Sequence, residues 1–190
     1  MIIFTDITEL KELQLQLEHQ AYYDELTQIY NRRAFYQQYE QNYAASAKET
    51  ASLTVILLDI DHFKKVNDTY GHRVGDEVII HVVNASKTQL SDDVLFARYG
   101  GEEFVIVLNG YGQLEGLALA NQICTYVGSQ YYVTEDGGLS VTVSLGVAEA
   151  SYETRETLHQ LLNKADQALY AAKEAGRNCA KAYEETQQIV

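Results

Sequence analysis

Positive charge is what this 190-residue chain has least of: 14 lysines and arginines stand against 27 aspartates and glutamates, for a net charge of −13. So acidic a surface repels nucleic acid and anionic lipid at long range, so neither is an expected partner. A phosphate-bearing ligand would need a local cationic site or a metal. Cysteine is scarce too. Cys124 and Cys179 form no CxxC pair and show no metal-ligand spacing with the five histidines, which suggests structural thiols in a reduced, cytoplasmic setting. No apolar run is long enough to span a bilayer. Met1-Ile2-Ile3-Phe4 is too short for a signal peptide, and Asp6 follows at once. Repeats and low-complexity segments are absent. With 46% hydrophobic and 22% charged residues, the chain is expected to form one globular domain with an appendage.

Two acidic stretches stand out. Leu53-Thr54-Val55-Ile56-Leu57-Leu58 is an almost uninterrupted apolar run, which predicts a central strand buried on both faces, and it ends in Asp59-Ile60-Asp61. Val94-Leu95-Phe96 and Val105-Ile106-Val107-Leu108 flank Gly100-Gly101-Glu102-Glu103, a pattern that predicts a β-hairpin. Adjacent carboxylates at such a turn either are solvated or have something cationic beside them. A strand tip and a hairpin that both carry carboxylates suit oxygen ligation of a hard cation such as Mg²⁺. Alternation places Asp59 and Asp61 on one face and so pairs them as ligands.

The remaining elements follow from periodicity. Asp6 and Glu9 open a polar helix reaching about residue 22, with Leu10, Leu13 and Leu17 at heptad-like spacing. That spacing fits a short coiled coil and a solvated connector equally well. Asn31 is placed to cap a helix whose apolar face carries Ala34, Phe35, Tyr39 and Tyr43. Residues 62–72 read as polar and mostly irregular, followed by a helix over about 74–90 and another over about 112–128. Strands are expected at 131–133 and 139–147. Val141, Val143, Leu145 and Val147 alternate there with Thr142, Ser144 and Gly146, the period of a half-exposed strand. A helix over about 154–175 carries a wide apolar face and stops at Gly176, and at most a short strand follows. The element order suggests an α+β fold with a largely antiparallel central sheet flanked by helices.

Taken together, five motifs resemble the GGDEF domain family, the diguanylate cyclases. They are Asp24-Glu25-Leu26-Thr27 with Asn31-Arg32-Arg33; Asp59-Ile60-Asp61-His62-Phe63-Lys64 with Asn67-Asp68 and Gly71-His72; Gly100-Gly101-Glu102-Glu103-Phe104; Ser144-Leu145-Gly146-Val147-Ala148; and Ala165-Asp166 through Tyr170, Lys173 and Gly176-Arg177-Asn178. The resemblance covers about residues 22–183, leaving 184–190 as a tail. Residues 1–21 look like the end of an upstream PAS sensor domain with its signalling helix, and any membrane anchor would lie further upstream. The family implies a ferredoxin-like sheet, as in nucleotide cyclases and polymerase palm domains. It also implies condensation of two GTP into cyclic di-GMP and two pyrophosphates, across a homodimer.

By motif position, the resemblance implies that Asp59, the carbonyl of Ile60, and Glu102 hold Mg²⁺ or Mn²⁺, two ions per active site. Asp61 then becomes structural. Asn67 and Asp76 meet the guanine edge, Phe63 and Lys64 lie along the triphosphate, and Lys173 and Arg177 meet its outer phosphates. Glu102 or Glu103 accepts the proton, and Lys64 stabilises the transition state. A GTP-binding regulator without turnover, or a pure scaffold, would be expected to have lost some of these residues.

One departure stands out. Many family members carry an Arg-x-x-Asp motif that binds product and inhibits turnover. Its positions, nine and six residues before Gly100, hold Ser91 and Val94 here. Serine lacks arginine's bidentate, charged contacts, valine offers no acceptor, and Asp92 and Asp93 add negative charge. Cyclic di-GMP is therefore expected to show no sub-micromolar binding at residues 91–94. In a product titration, turnover should continue as product accumulates, with no strong non-competitive inhibition.

Overall fold

A computed structural model of the chain describes residues 11, 13, 19–43, 52–134, 137–150 and 156–185. The elements are α1 (Arg32–Gln38), continued by a π-helical turn over Tyr39–Tyr43; β1 (Leu53–Ile60); α2 (Phe63–Lys87); β2 (Leu95–Arg98); β3 (Glu103–Asn109); α3 (Gln113–Ser129); β4 (Tyr132–Thr134); β5 (Gly137–Leu139); β6 (Val143–Glu149); α4 (Leu158–Glu174); and β7 (Ala180–Ala182). Five strands form one sheet in the order β2-β3-β1-β6-β7, and β4 and β5 pair separately. β1 is antiparallel to both β3 and β6, while β7 runs parallel to β6. The unit β1-α2-β2-β3-α3-β6 is thus the ferredoxin-like arrangement, with α4 and β7 added at its end. This is the expected α+β class with a largely antiparallel sheet.

β1 is buried along its whole length. Its side chains alternate between two cores, as the period of two requires. Ile56, Leu58 and Ile60 join Val78 and Val82 of α2 and Ile123 and Val127 of α3. Leu53, Val55 and Leu57 join Phe35 and Tyr39 on one side and Leu161, Ala165 and Leu169 of α4 on the other. Local signals set the helix ends. The Asn31 side chain accepts from the Ala34 N–H at 2.9 Å, and Thr157 and Gln160 cap α4 reciprocally. The apolar face expected for residues 34–43 is buried as read.

Two expectations need correction. Residues 62–72 are helical rather than irregular. α2 begins at Phe63 and is broken by Gly71, at φ +81° and ψ 164°, so the polar segment is a first helix leading into a second. Its polarity reflects a face turned outward at Lys64, Lys65, Asp68 and Thr69, whereas Phe63 and Val66 are buried. Nor is β6 half-exposed, for Val143 through Ala148 are all buried. Its small and polar alternates face α4. Of the N-terminal helix, positions 11, 13 and 19–22 are helical and Leu13 is exposed. Leu10, Leu17 and the strand-like stub on which the PAS reading rests lie outside the described residues.

At Gly146 the backbone of α4 approaches the sheet closely. A Cβ there would lie 2.1 Å from the Ala165 carbonyl oxygen and 2.2 Å from the Leu169 nitrogen. Both are backbone atoms, so no rotamer change relieves the overlap and α4 would have to move. Gly146→Ala should therefore cost about 3 kcal/mol, the upper part of the range for overpacking, read as a lowered urea midpoint.

Candidate active site

β1 delivers its carboxylates to the same end of the sheet as the hairpin turn. Asp59 pairs in register with Glu103 of β3 on one side and Ser144 of β6 on the other. The Ile60 N–H donates to the Glu102 carbonyl at 3.3 Å. Strand parity turns the Asp59 side chain toward α4. There it is buried, 8% exposed, and its Oδ2 lies 2.9 Å from Lys173 Nζ. Burial raises the Asp59 carboxyl above its ordinary range. The Lys173 ammonium opposes that rise, and the negative charges of Glu102 and Asp61 add to it. Glu103 is raised as well, through lost hydration and then the charge of Asp59, again with Lys173 opposing. Carboxylates thus crowd around one ammonium, an arrangement that favours additional positive charge.

Asp61 is held quite differently. Its carboxylate accepts from Thr142 Oγ1 and Ser144 Oγ, both at 2.7 Å, and from the Asn178 N–H at 3.0 Å. Those three donors tie β1, β6 and the turn after α4 together. The pairing of Asp59 with Asp61 as ligands, suggested by alternation alone, therefore gives way. The two share a face, but Asp61 is already occupied as a structural tie.

The hairpin turn is anchored by Arg98. Arg98 Nη1 donates to both carboxylate oxygens of Asp24, at 3.0 and 3.1 Å. Its Nε and Nη2 donate to the Gly101 carbonyl at 3.1 and 2.7 Å. Asp24 also accepts from the Thr27 N–H and hydroxyl, at 2.9 and 2.7 Å. The first motif thus holds the third in place across 74 residues of sequence, a link that no local pattern announces.

On α2, Phe63 is buried, and Lys64 and Asp76 are exposed. Asn67 Oδ1 is buried without a hydrogen-bond partner. It lies against Gly75, where a Cβ would stand 1.9 Å from it, so only glycine leaves that oxygen its room. An acceptor left unpaired next to Asp76 is suited to a donor-bearing ligand edge. Arg177 is exposed just beyond α4, one turn after Lys173. Ser91 and Val94 lie at the other end of the hairpin from its turn, since β2 begins at Leu95 and pairs through Arg98. A cavity of about 330 Å³ opens beside them, lined by Tyr30, Leu90, Val94 and Phe96 together with Lys87 and Asp92. Arg98, the nearby arginine, is committed to Asp24 and Gly101.

Among the described residues, no three histidine, cysteine or acidic side chains converge into a complete metal cage. Two carboxylates and a backbone carbonyl nevertheless fit Mg²⁺, which commonly takes one or two protein carboxylates and completes its shell from phosphate and water. The ammonium seated on Asp59 marks where a cation is held.

Burial alone would raise Asp24, but the hydrogen bonds from Thr27 and the Arg98 guanidinium outweigh it and hold this carboxyl below its ordinary value. A depressed folded-state value contributes stability above the unfolded value, about 3.9. That contribution is lost as pH falls through the folded value. Asp24→Asn should therefore lose about 2 kcal/mol at neutral pH, the scale of a charge-assisted hydrogen bond. Urea midpoints measured against pH should show the gap between variant and parent closing below about pH 3.9.

The profile described as "Diguanylate cyclase, GGDEF domain" matches residues 21–179. The chain is 38% identical over 178 residues to the diguanylate cyclase DgcM of Escherichia coli strain K12, covering 94% of this chain and 42% of that protein. It superposes with a TM-score of 0.85 on the coiled coil and GGDEF domain of DgcB from Caulobacter crescentus, solved in complex with c-di-GMP, at 32% identity and 93% coverage of both chains. With the active GGEEF domain of a diguanylate cyclase from Vibrio cholerae the TM-score is 0.76, at 31% identity, covering 82% of this chain and 98% of that one. The chain spans 38%, 56% and 42% of the length of three curated relatives it matches. With the profile spanning most of the sequence and the strand-tip and hairpin carboxylates assembled at one end of the sheet, the chain belongs to the GGDEF domain family, the diguanylate cyclases.

Proposed function

We propose that this chain is the catalytic domain of a diguanylate cyclase, condensing two GTP into cyclic di-GMP with release of two pyrophosphates. The observation that carries the reading is Asp59, buried at the tip of the central strand, in register with the signature hairpin, with a lysine ammonium already on it. Asp59, the Ile60 carbonyl and Glu102 would hold two Mg²⁺ or Mn²⁺ ions. When bound, those ions supply charge that acidifies the attacking 3′-hydroxyl and offsets the leaving pyrophosphate.

The chain's own residues do the rest. Asp76 and the free Asn67 Oδ1 accept from the N1–H and 2-amino group of guanine, which adenine cannot match. The backbone of Phe63-Lys64 lies along the triphosphate, and the Lys64 ammonium stabilises the pentavalent transition state. Lys173 and Arg177 take the outer phosphates. Glu102, with Glu103 as the second candidate, accepts the proton of the 3′-hydroxyl. That hydroxyl belongs to the GTP of a facing subunit, so catalysis needs a homodimer. The helix before residue 22 contributes to this contact and transmits a signal from an upstream sensor domain. No helix among the described residues is long and apolar enough to cross a membrane; a GTP substrate supports a cytoplasmic reading for this domain.

Incubation with GTP and Mg²⁺, followed by nucleotide chromatography, tests the reading. The parent should form cyclic di-GMP. Glu102→Gln, which removes one negative charge from the site, should abolish product while leaving the thermal melt close to that of the parent. A Gln variant with parental turnover would remove Glu102 from the metal seat.

A further inference from the structure

We infer that Lys173 is a displaceable counter-ion for Asp59, holding the metal seat closed until nucleotide phosphate draws its ammonium away. The inference rests on the proposed metal role of Asp59. It adds that the protein's own cation pairs with Asp59 before metal and nucleotide bind.

The two strand-tip aspartates are neutralised in contrasting ways. Asp61 is satisfied by two hydroxyls and a backbone N–H, all on fixed elements. Asp59 is instead met by one ammonium at 2.9 Å. A carboxylate so withdrawn from water, beside Glu102 and Asp61, needs a compensating charge. The compensating group is mounted so that only its tip need move. Lys173 lies in the last turn of α4, where a cation is favoured. The helix backbone there is fixed by the close approach at Gly146, and the turn that follows is tied to Asp61 through Asn178. Lysine is a point charge on a flexible four-carbon stem, so its tip can swing without moving the helix.

The Lys173 side chain keeps 31% of its surface exposed, against 12% for Asp59, so the ammonium reaches outward as well as inward. Arg177 is exposed in the turn that follows α4. A polyphosphate arriving at these two cations offers the ammonium a second anion. A divalent ion and an ammonium on the same carboxylate repel each other, so each weakens the other's hold on Asp59. Phosphate binding therefore frees the seat, and by linkage a seated metal favours phosphate equally.

The test is Mn²⁺ binding to the nucleotide-free protein, followed by electron paramagnetic resonance. Lys173→Met and Lys173→Gln should each bind Mn²⁺ about tenfold more tightly than the parent. Lys173→Arg should remain near the parent. Lys181→Met, which removes a lysine elsewhere on the surface, should stay within about twofold, separating displacement from a general change of charge. Adding Asp59→Asn to Lys173→Met should erase the gain. If Mn²⁺ binding depends on Asp59 but the Met and Gln variants bind no more tightly than the parent, the counter-ion role is wrong and the metal seat stands. If binding does not depend on Asp59 in any variant, the metal seat falls and the counter-ion role falls with it.

Discussion

The structure depends on a strand that has no exposed face. Because β1 is covered by helices on both sides, its side chains must alternate between two cores, and a shift of one residue would turn every one of them over. That constraint reaches past the apolar run. It sends Asp59 to the α4 side, where Lys173 waits, and leaves Ile60 in the opposite core with its N–H bonded to Glu102. The chemistry at the strand tip is thus set by the packing that holds the strand.

Support for that tip comes from long-range ties rather than from local geometry. Asp61 gathers β6 and the turn after α4, and Gly146 lets α4 approach closely enough for Lys173 to reach Asp59. Arg98 and Asp24 lock the signature turn to the start of the domain. The residues proposed to meet nucleotide and metal are left less satisfied: an unpaired Asn67 oxygen, raised Asp59 and Glu103, and exposed Lys64 and Arg177. Rigid tied positions alternate with open ones, as expected where unmet polar capacity is kept for a ligand.

Much of this was legible in the sequence. The apolar run of β1, the Gly-Gly hairpin, the Asn31 cap and the broad face of α4 are local patterns with local causes, and each forms as read. The five motifs identified the family. Misreadings arose where a residue's environment is supplied from far along the chain. Thr142, Ser144 and Gly146 looked like the solvent face of β6, yet Asp61 and α4 cover them. Residues 62–72 looked irregular because an outward polar face and the break at Gly71 mask the helical stretch that begins at Phe63.

By itself, then, the sequence determined which segments become strands and helices, and which carboxylates and cations are available, because periodicity, caps and charge are properties of neighbouring residues. Tertiary structure alone decided which carboxylate remains open to a cation. Asp59 and Asp61 lie two positions apart and so share a strand face, and nothing local separates them. Thr142, Ser144 of β6 and the turn after α4 supply the three donors that close Asp61, and a single flexible lysine meets Asp59. Those partners reach the strand tip only when helix and sheet have packed, which is why that choice could not be read from order alone.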